Sequence, residues 1–330
     1  IVIPVYNQKE QFLRECIESA MAQTYTNIKI IISDNHSTNN VPHILSEYAA
    51  KDSRIEIVKP PVFLNISESF MYSLSRPETL YACYVSSDDI LMPNCVEELL
   101  KGMQANKDAV FGHGKALYFY PDGRSILRWE YFNSQEGYYT FNDEIATRLL
   151  RFEYICFGGM LVDVAAWRRL QQRLTDTKVK INYSLDIFVT LLLFEQGGVY
   201  YSDKTLAKIR IENETRNTRM PYMIEDTVSI FNFIETDETA KQMISTTTVD
   251  VARHKKLHFL NHNRVLYYPF FEKHFDYKQL KLGFTNLKKY KLPSPFYFSA
   301  MEFMATNFPG ISKIAYKIGR PVFSKIFKNH

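Results

Sequence analysis

The sequence predicts an α/β fold with a doubly wound sheet, because short apolar runs alternate with segments of helical periodicity. Residues 1–5, and residues 28–32 apart from Lys29, are apolar on both faces, as buried parallel strands are. Asn7 is the predicted N-cap of the intervening helix. Apolar residues recur along one face of that helix: Phe12, Leu13, Cys16, Ile17, Ala20 and Met21.

The same alternation continues toward the centre of the chain. Helical spacing around residues 44–49 and 67–74 is interleaved with predicted strands at 54–58 and 80–85, and a further helix and strand are predicted between Pro93 and Phe111. The turn sequence Tyr120-Pro-Asp-Gly-Arg124 interrupts this rhythm. We expect mixed short strands up to residue 211, a helix at about 185–195, and mainly helical structure beyond residue 213.

Composition narrows the possible cellular settings. The 330 residues carry a net charge of +4 and contain no apolar run of the roughly 20 residues that a membrane-spanning helix needs. The four cysteines form no CxxC pair, so we expect buried free thiols in a reducing cytoplasm.

Residues 276–330 hold ten Lys or Arg against two acidic residues. This basic, aromatic tail predicts either contact with the inner membrane surface or a helix pair packed on the main domain, and no nucleic-acid-binding motif accompanies it.

Three polar segments follow predicted strands: Tyr6-Asn7, Asp34-Asn35 and Ser86-Ser-Asp-Asp89. Ligands of open α/β sheets bind outside the carboxyl ends of the strands, so we expect these segments to border one crevice. Their side chains suit a base and a ribose through hydrogen bonds, and a diphosphate through a cation. The sequence therefore predicts a nucleotide site.

These segments resemble the inverting glycosyltransferases of family 2, which have the GT-A fold. The resemblance covers about residues 1–212 and implies a Rossmann-like nucleotide-sugar half at 1–112, an acceptor half at 113–212 and a helical extension at 213–330. The similar segments stand in the family's order: Ile1-Val-Ile-Pro-Val-Tyr-Asn7, Gln23-Thr-Tyr25, Ile30-Ile-Ile-Ser-Asp-Asn-His-Ser-Thr38, Ser86-Ser-Asp-Asp-Ile-Leu-Met-Pro93 and Leu206-Ala-Lys-Ile-Arg210.

The resemblance implies a nucleotide sugar as the donor, with UDP as the expected nucleotide and dTDP or GDP as alternatives. Within the site it assigns the base to Asp34 and the diphosphate to Arg210. Asn35, His36 and Asn39 stand where the family often has Asp, Gly and Asp, which predicts a different turn here. The implied nucleotide-binding residues are Pro4, Tyr6, Glu10, Asp34, Asn35, Ser87, Asp88 and Arg210.

Asp88 and Asp89 are the predicted ligands of a divalent cation, Mn²⁺ or Mg²⁺, because hard cations bind carboxylate oxygens. A charge at a turn or a helix N-terminus is the alternative explanation for the pair. The family's usual pattern is Asp-x-Asp-Asp, and Ser86 occupies its first position. We therefore expect weaker metal affinity, or a protein that binds nucleotides without catalysing transfer.

Asp186 resembles the catalytic base of the family's Glu-Asp motif, with Leu185 in place of the Glu. The resemblance implies that this carboxylate deprotonates the acceptor hydroxyl. An acid favoured by the helix dipole is the alternative. Gly158 and Gly159 match the acceptor-side loop, although a tight turn explains them equally well. The implied acceptor is a glycan or a lipid-linked saccharide of the bacterial surface.

Two other interpretations of the sequence compete with sugar transfer. A sugar nucleotidyltransferase would need a glycine-rich, basic loop after the first strand, and the sequence Tyr6-Asn-Gln-Lys-Glu10 does not provide one. A non-catalytic nucleotide- or glycan-binding protein is suggested by Ser86 and by Glu212, which replaces a His of the family. His254, His258 and His262 recur at helical spacing, and basic neighbours without an intervening acid favour a solvated helix over a metal site.

Overall fold

The computed structural model describes residues 1–154, 157–181, 183–211 and 215–255 of the chain. The predicted C-terminal tail, His258, His262 and Cys156 lie outside these residues. Within them, no helix is both long enough and apolar enough to cross a membrane. Cys16, Cys83 and Cys95 are buried free thiols, as predicted.

The first 84 residues alternate between strand and helix, which confirms the predicted α/β class. The elements are β1 (Val2–Val5), α1 (Glu10–Met21), β2 (Ile30–Asp34), α2 (Val41–Lys51), β3 (Ile55–Val58), α3 (Ile66–Leu74) and β4 (Tyr81–Tyr84). The apolar face predicted for α1 supplies Leu13, Cys16, Ile17 and Ala20 to the core. Burial of each large aliphatic side chain contributes about 1.5–3 kcal/mol.

The remaining described chain mixes strands of both directions with further helices. Its elements are β5 (Ile90–Leu91), α4 (Cys95–Ala105), β6 (Ala109–Phe119), β7 (Ser125–Arg128), β8 (Gly137–Tyr139), α5 (Asp143–Leu150), β9 (Met160–Asp163), α6 (Val164–Thr177), α7 (Leu185–Phe194), β10 (Gly198–Arg210), α8 (Thr215–Thr236) and α9 (Glu238–Ser245).

The strands of the described residues form one mixed sheet in the order β3-β2-β1-β4-β9-β6-β10-β5, with β7 paired to β6 and β8 to β10. β1 to β4 are parallel, whereas β9 runs antiparallel to both β4 and β6. β10 pairs parallel with β6 and antiparallel with the short β5. β5 follows the acidic segment, which comprises Ser86, Ser87, Asp88 and Asp89. This pairing brings the end of β10 beside Asp88 and Asp89.

The chain divides into two compact units. One comprises Ile1–Glu212 and Phe233–Val249, and the other comprises Asn213–Asn232 and Asp250–His330. In the first unit, Asp237 caps α9 and pairs with Arg173 of α6, at 2.5 Å. Residues 233–249 therefore pack with the sheet-bearing part of the chain. The domain boundary near residue 212 stays a prediction.

Candidate active site

The carboxyl ends of β1, β2 and β4 lie at one edge of the sheet. Val5 stands opposite Asp34, and the amide of Asn35 donates to the Val5 carbonyl across 2.8 Å. Val85, which follows β4, donates to the Val2 carbonyl across 3.1 Å. Parallel pairing therefore brings the three polar segments to the same edge, as the sequence predicts.

Asn7 ties the loop after β1 to the loop after β2. Its Oδ1 accepts hydrogen bonds from the amides of Thr38, at 2.7 Å, and Asn39, at 3.3 Å, and its own amide donates to Ser37 Oγ. Its φ of 46° lies in the left-handed region that Asn tolerates. The predicted N-cap role is wrong, because α1 begins after Lys9 and the Asn7 side chain serves the neighbouring loop.

The predicted nucleotide ligands on these loops differ in exposure. Pro4 is half-buried in β1, whereas 48% of Tyr6 is exposed and its ring centroid lies 5.0 Å from that of Phe63. Asp34 is buried, and its Oδ1 accepts from the Ser37 amide at 2.9 Å. The side-chain amide of Asn35 is hydrogen-bonded to the backbone of Leu64.

Glu10 and Ser87 also have protein partners. Glu10 is exposed at the start of α1, where it pairs with Arg14 at 2.9 Å and accepts from Asn40 at 3.2 Å. These bonds lower the pKa of the Glu10 carboxyl. Ser87 Oγ accepts from Gln8 Nε2 at 3.1 Å, which links the acidic segment to the loop after β1. Gln8 is a site-adjacent residue that the sequence did not single out.

The acids of the pair occupy different environments. Asp88 is half-buried, whereas only 5% of Asp89 is exposed. The Asp89 amide closes a turn onto the Ser86 carbonyl, at 3.0 Å, and its Oδ1 accepts from the Arg210 amide at 2.9 Å. Burial and the neighbouring charge of Asp88 raise the pKa of the Asp89 carboxyl well above its usual range. Asp89 therefore braces β10, and Asp88 is the more accessible carboxylate.

Arg210 is held by several groups of the protein. Its Nε donates to the Asp88 carbonyl at 3.1 Å, and its guanidinium pairs with Glu15. The guanidinium carbon lies 3.8 Å from the ring centroid of Phe12 and 4.5 Å from that of Phe119. The structure thus gives this predicted diphosphate ligand a second function, which is to tether the end of β10 to α1 and to the acidic segment.

Asp186 lies in the first turn of α7 and is half-buried. Its Oδ1 accepts from the Ile187 amide at 2.9 Å. Tyr118 lies at the end of β6. Burial raises the pKa of its hydroxyl, and the charges of Asp186 and Asp89 raise it further. The sequence did not indicate Tyr118, because its strand was expected only as far as residue 111.

Local geometry favours glycine at positions 158 and 159, through a close side-chain neighbour at the first and a positive φ at the second. A Cβ on Gly158 would stand 2.1 Å from Ile209 Cδ1, and Gly159 has a φ of +79° and donates to the Tyr84 carbonyl at 2.9 Å. Both glycines therefore allow their loop to pass closely between β4 and β10. This geometry supplies the tight-turn explanation, and their contact with an acceptor stays a prediction.

Within the described residues, no group of three or more His, Cys, Asp or Glu side chains could hold a metal ion. The carboxylates of Asp88 and Asp89 are chemically suited to Mn²⁺ or Mg²⁺ but make only part of a coordination shell. The raised pKa of Asp89 reflects burial first and then the negative charge of Asp88, which a cation would offset. The residues therefore fit a cation whose other ligands come from a phosphate-bearing substrate.

Comparison with known proteins places this chain in a family. The family model described as Glycosyl transferase family 2 matches residues 1–166. Glycosyltransferase GlyG of Streptococcus pneumoniae is 30% identical over an alignment of 155 positions that covers 43% of this chain and 51% of GlyG. Chondroitin synthase of Pasteurella multocida is 24% identical over 62% of this chain and 20% of its own length. The chain thus spans about half of GlyG and less of the synthase.

Solved structures resemble the chain at low sequence identity. S. aureus TarS 1–349 in complex with UDP-GlcNAc has a TM-score of 0.60 at 14% identity, over 98% of this chain and 90% of TarS 1–349. The mannosyltransferase PcManGT of Pyrobaculum calidifontis, in complex with GDP-Man and Mn²⁺, has a TM-score of 0.54 at 11% identity, over 96% and 85%. Taken with the family match, these similarities show that the chain belongs to glycosyl transferase family 2 and has the GT-A fold.

Proposed function

We propose that this chain transfers a sugar from a nucleotide sugar to a hydroxyl group of a glycan or lipid-linked saccharide, with inversion at the anomeric carbon. The observation that carries the proposal is that parallel pairing of β1, β2 and β4 brings the polar segments after these strands to one edge of the sheet, where the Asp89 carboxylate accepts from the Arg210 amide at 2.9 Å. Burial, and then the charges of Asp186 and Asp89, raise the pKa of Tyr118, which supports a common site for the predicted base on α7 and the acidic segment after β4.

The loops after β1 and β2 are the proposed nucleoside-binding part of the site. Exposed Tyr6 offers an aromatic surface, and Asp34 is held by Ser37 through one carboxylate oxygen, so we assign its other oxygen to the base. UDP is the nucleotide that we propose first, which is consistent with the UDP-GlcNAc complex of TarS. The GDP-Man complex of the mannosyltransferase keeps GDP as the alternative.

Asp88 is the proposed principal ligand of Mn²⁺ or Mg²⁺, because it is the more accessible acid of the pair. Asp89 would hold the segment in place through Arg210 and add negative charge to the site. When bound, the cation supplies positive charge that stabilises the departing diphosphate. Ser86 leaves this site one carboxylate short of the family pattern, so the phosphates of the donor contribute most of the remaining affinity.

Asp186 is the proposed general base. Its hydrogen bond from the Ile187 amide and its place in the first turn of α7 favour the ionised carboxylate, which is the form that accepts a proton. The carboxylate takes the proton of the acceptor hydroxyl while the acceptor oxygen bonds to the anomeric carbon. The bond from that carbon to the diphosphate breaks on the opposite face, so the configuration inverts.

A screen of nucleotide sugars tests the proposal. The purified full-length chain is incubated with UDP-, dTDP- and GDP-sugars, with and without Mn²⁺, and release of the nucleoside diphosphate is measured. We expect Asp88→Asn and Asp186→Asn each to lower turnover of the preferred donor by about 100-fold or more. The matched control is Asp122→Asn, which changes an exposed carboxylate at the turn between β6 and β7.

The outcomes separate the two candidate functions. A chain that binds UDP, but neither hydrolyses any donor nor transfers its sugar to any saccharide acceptor, is a non-catalytic nucleotide-binding protein. That alternative is favoured by Ser86 and by the engagement of Arg210 with Glu15. Turnover that persists unchanged in Asp186→Asn would remove the proposed base.

Synthesis of a bacterial surface polysaccharide is the process that we propose for an active enzyme.

A further inference from the structure

The loop between β3 and α3, residues 59–65, presents an aromatic side chain at the nucleotide edge of the sheet. Phe63 is 57% exposed, and its ring lies 5.0 Å from Tyr6 at an interplanar angle of 60°. Val62, on the same loop, is also exposed. Two adjoining exposed aromatic rings form an apolar surface of the kind that marks a binding site.

Side chains of the loop after β2 hold this segment in place. Asn35 is only 4% exposed; its Nδ2 donates to the Leu64 carbonyl at 2.8 Å, and its Oδ1 accepts from the Leu64 amide at 2.9 Å. His36 Nε2 lies 2.9 Å from the carbonyl oxygen of Pro60. Both ends of the short segment that carries Phe63 are therefore fixed to residues 35 and 36.

The two-point bond to Leu64 requires the chemistry of Asn. An amide side chain has both a donor and an acceptor, so it can satisfy the carbonyl and the amide of one residue together. An ionised Asp has only acceptors, and one of its oxygens would face the Leu64 carbonyl without a donor. Asn in place of the family's acid thus couples the loop after β2 to the backbone beside Phe63.

We infer that Phe63 forms a second aromatic contact to the base of the nucleotide donor, alongside Tyr6, and that Asn35 is a positioning residue for Phe63. The inference rests on the proposed function and deepens it by naming the residue that completes the base site. The proposed ligand of Phe63 is the planar heteroaromatic ring of the base, whereas the diphosphate is proposed to bind at the acidic segment. The family resemblance implies that Asn35 contacts the nucleotide directly, whereas this proposal has Asn35 act on the base through Leu64 and Phe63.

The test compares ligands with and without a base. Binding of UDP and of inorganic diphosphate to the full-length protein is measured by calorimetry with Mn²⁺ present. We expect Phe63→Ala to lower the affinity for UDP by about tenfold, because it removes stacking of the base on an aromatic side chain. The affinity for diphosphate should be unchanged. The control is Leu80→Ala, which removes an 81% exposed side chain just before β4, at the opposite edge of the sheet.

A double-mutant cycle tests the positioning role. Asn35→Asp should weaken UDP binding by about as much as Phe63→Ala, and the double variant should be no weaker than Phe63→Ala alone. His36→Ala, which removes the Pro60 contact, provides a second route should Asn35→Asp fold poorly. Additive effects in both pairs would overturn the positioning role, and equal losses for UDP and diphosphate would overturn the base contact.

The binding of the unaltered protein separates this inference from the proposed function. Normal UDP binding by Phe63→Ala, beside clear binding by the unaltered chain, overturns the inference alone. If the unaltered chain binds no nucleoside diphosphate, the proposed function fails and the inference fails with it.

Discussion

The buried carboxylate of Asp89 accepts a 2.9 Å hydrogen bond from the backbone amide of Arg210, 121 residues further along the chain. The Arg210 side chain returns to the same segment and donates to the Asp88 carbonyl at 3.1 Å. β10 is thereby bound to the turn that carries both acids. The cost is a negative charge in a buried position, beside a second carboxylate.

Replacing Asp89 with Asn should increase the free energy of unfolding at neutral pH in the absence of metal. The folded pKa of the Asp89 carboxyl is raised by burial and by Asp88, so its stabilising contribution is complete below the unfolded value of about 4. That contribution is lost as pH rises through the folded pKa. Asn keeps an acceptor for the Arg210 amide and carries no charge.

Urea denaturation in EDTA, between pH 4 and pH 7, measures this effect. The stability of Asp89→Asn minus that of the unaltered protein should grow as pH rises. Saturating Mn²⁺ with UDP should reduce the difference, because a bound cation favours the ionised carboxylate. A difference that is constant with pH would contradict the assignment of the buried charge.

Arg210→Lys should lower the free energy of unfolding by about 1–2 kcal/mol, because Lys lacks the planar guanidinium that lies between Phe12 and Phe119. Glu15→Gln is the matched comparison, since it removes the ion pair and keeps the stacked guanidinium. We expect a smaller loss for Glu15→Gln, because partly exposed ion pairs contribute little. Thermal unfolding of both variants, measured without ligand, decides the order; an equal or larger loss for Glu15→Gln would show that the ion pair dominates.

Asp237→Ala should destabilise the sheet-bearing unit although it lies beyond the predicted domain boundary. Its Oδ1 accepts from the amides of Thr239 and Ala240, both at 3.1 Å, and it pairs with Arg173. Loss of a helix cap costs about 1 kcal/mol. Glu238→Ala is the control, because the neighbouring Glu238 side chain is 87% exposed.

The measurement for this pair is thermal unfolding of the full chain with and without UDP. A lower melting temperature for Asp237→Ala, in the transition that UDP shifts, would place residues 233–249 in the nucleotide-binding unit. If only a transition insensitive to UDP moves, the unit would end near residue 212.

The fold was largely predictable because its information is local. The apolar run that becomes β1 and the 3.6-residue periodicity of α1 are visible in short windows of sequence. The antiparallel insertion of β9 between β4 and β6 was not, because strand order depends on contacts between distant segments. Pattern alone therefore gave the class and the first strands, and tertiary contacts decided the sheet.

The candidate site divides in the same way. The strand-end position of Asp88 follows from a local pattern, whereas the partners of Asn35 and Arg210 lie 29 and 195 residues away. Asn7 shows why a local rule fails: its side chain could cap α1, but the backbone amides of Thr38 and Asn39 come within its reach only after the sheet forms. Resemblance to a family cannot supply such partners where the residues themselves depart from the pattern.

Ser86→Asp should strengthen metal binding, because it adds the carboxylate that the family usually has two residues before Asp88. Ligand charge tunes cation affinity, and we expect the Kd for Mn²⁺ in the presence of UDP to fall by about tenfold. Without metal, a third negative charge beside Asp88 and Asp89 should raise the pKa of Asp89 further and lower the melting temperature. Ser86→Asn is the control, because it has nearly the same size and no charge. Tighter Mn²⁺ binding in both variants would trace the effect to shape, and tighter binding in Ser86→Asp alone would locate the cation at this turn.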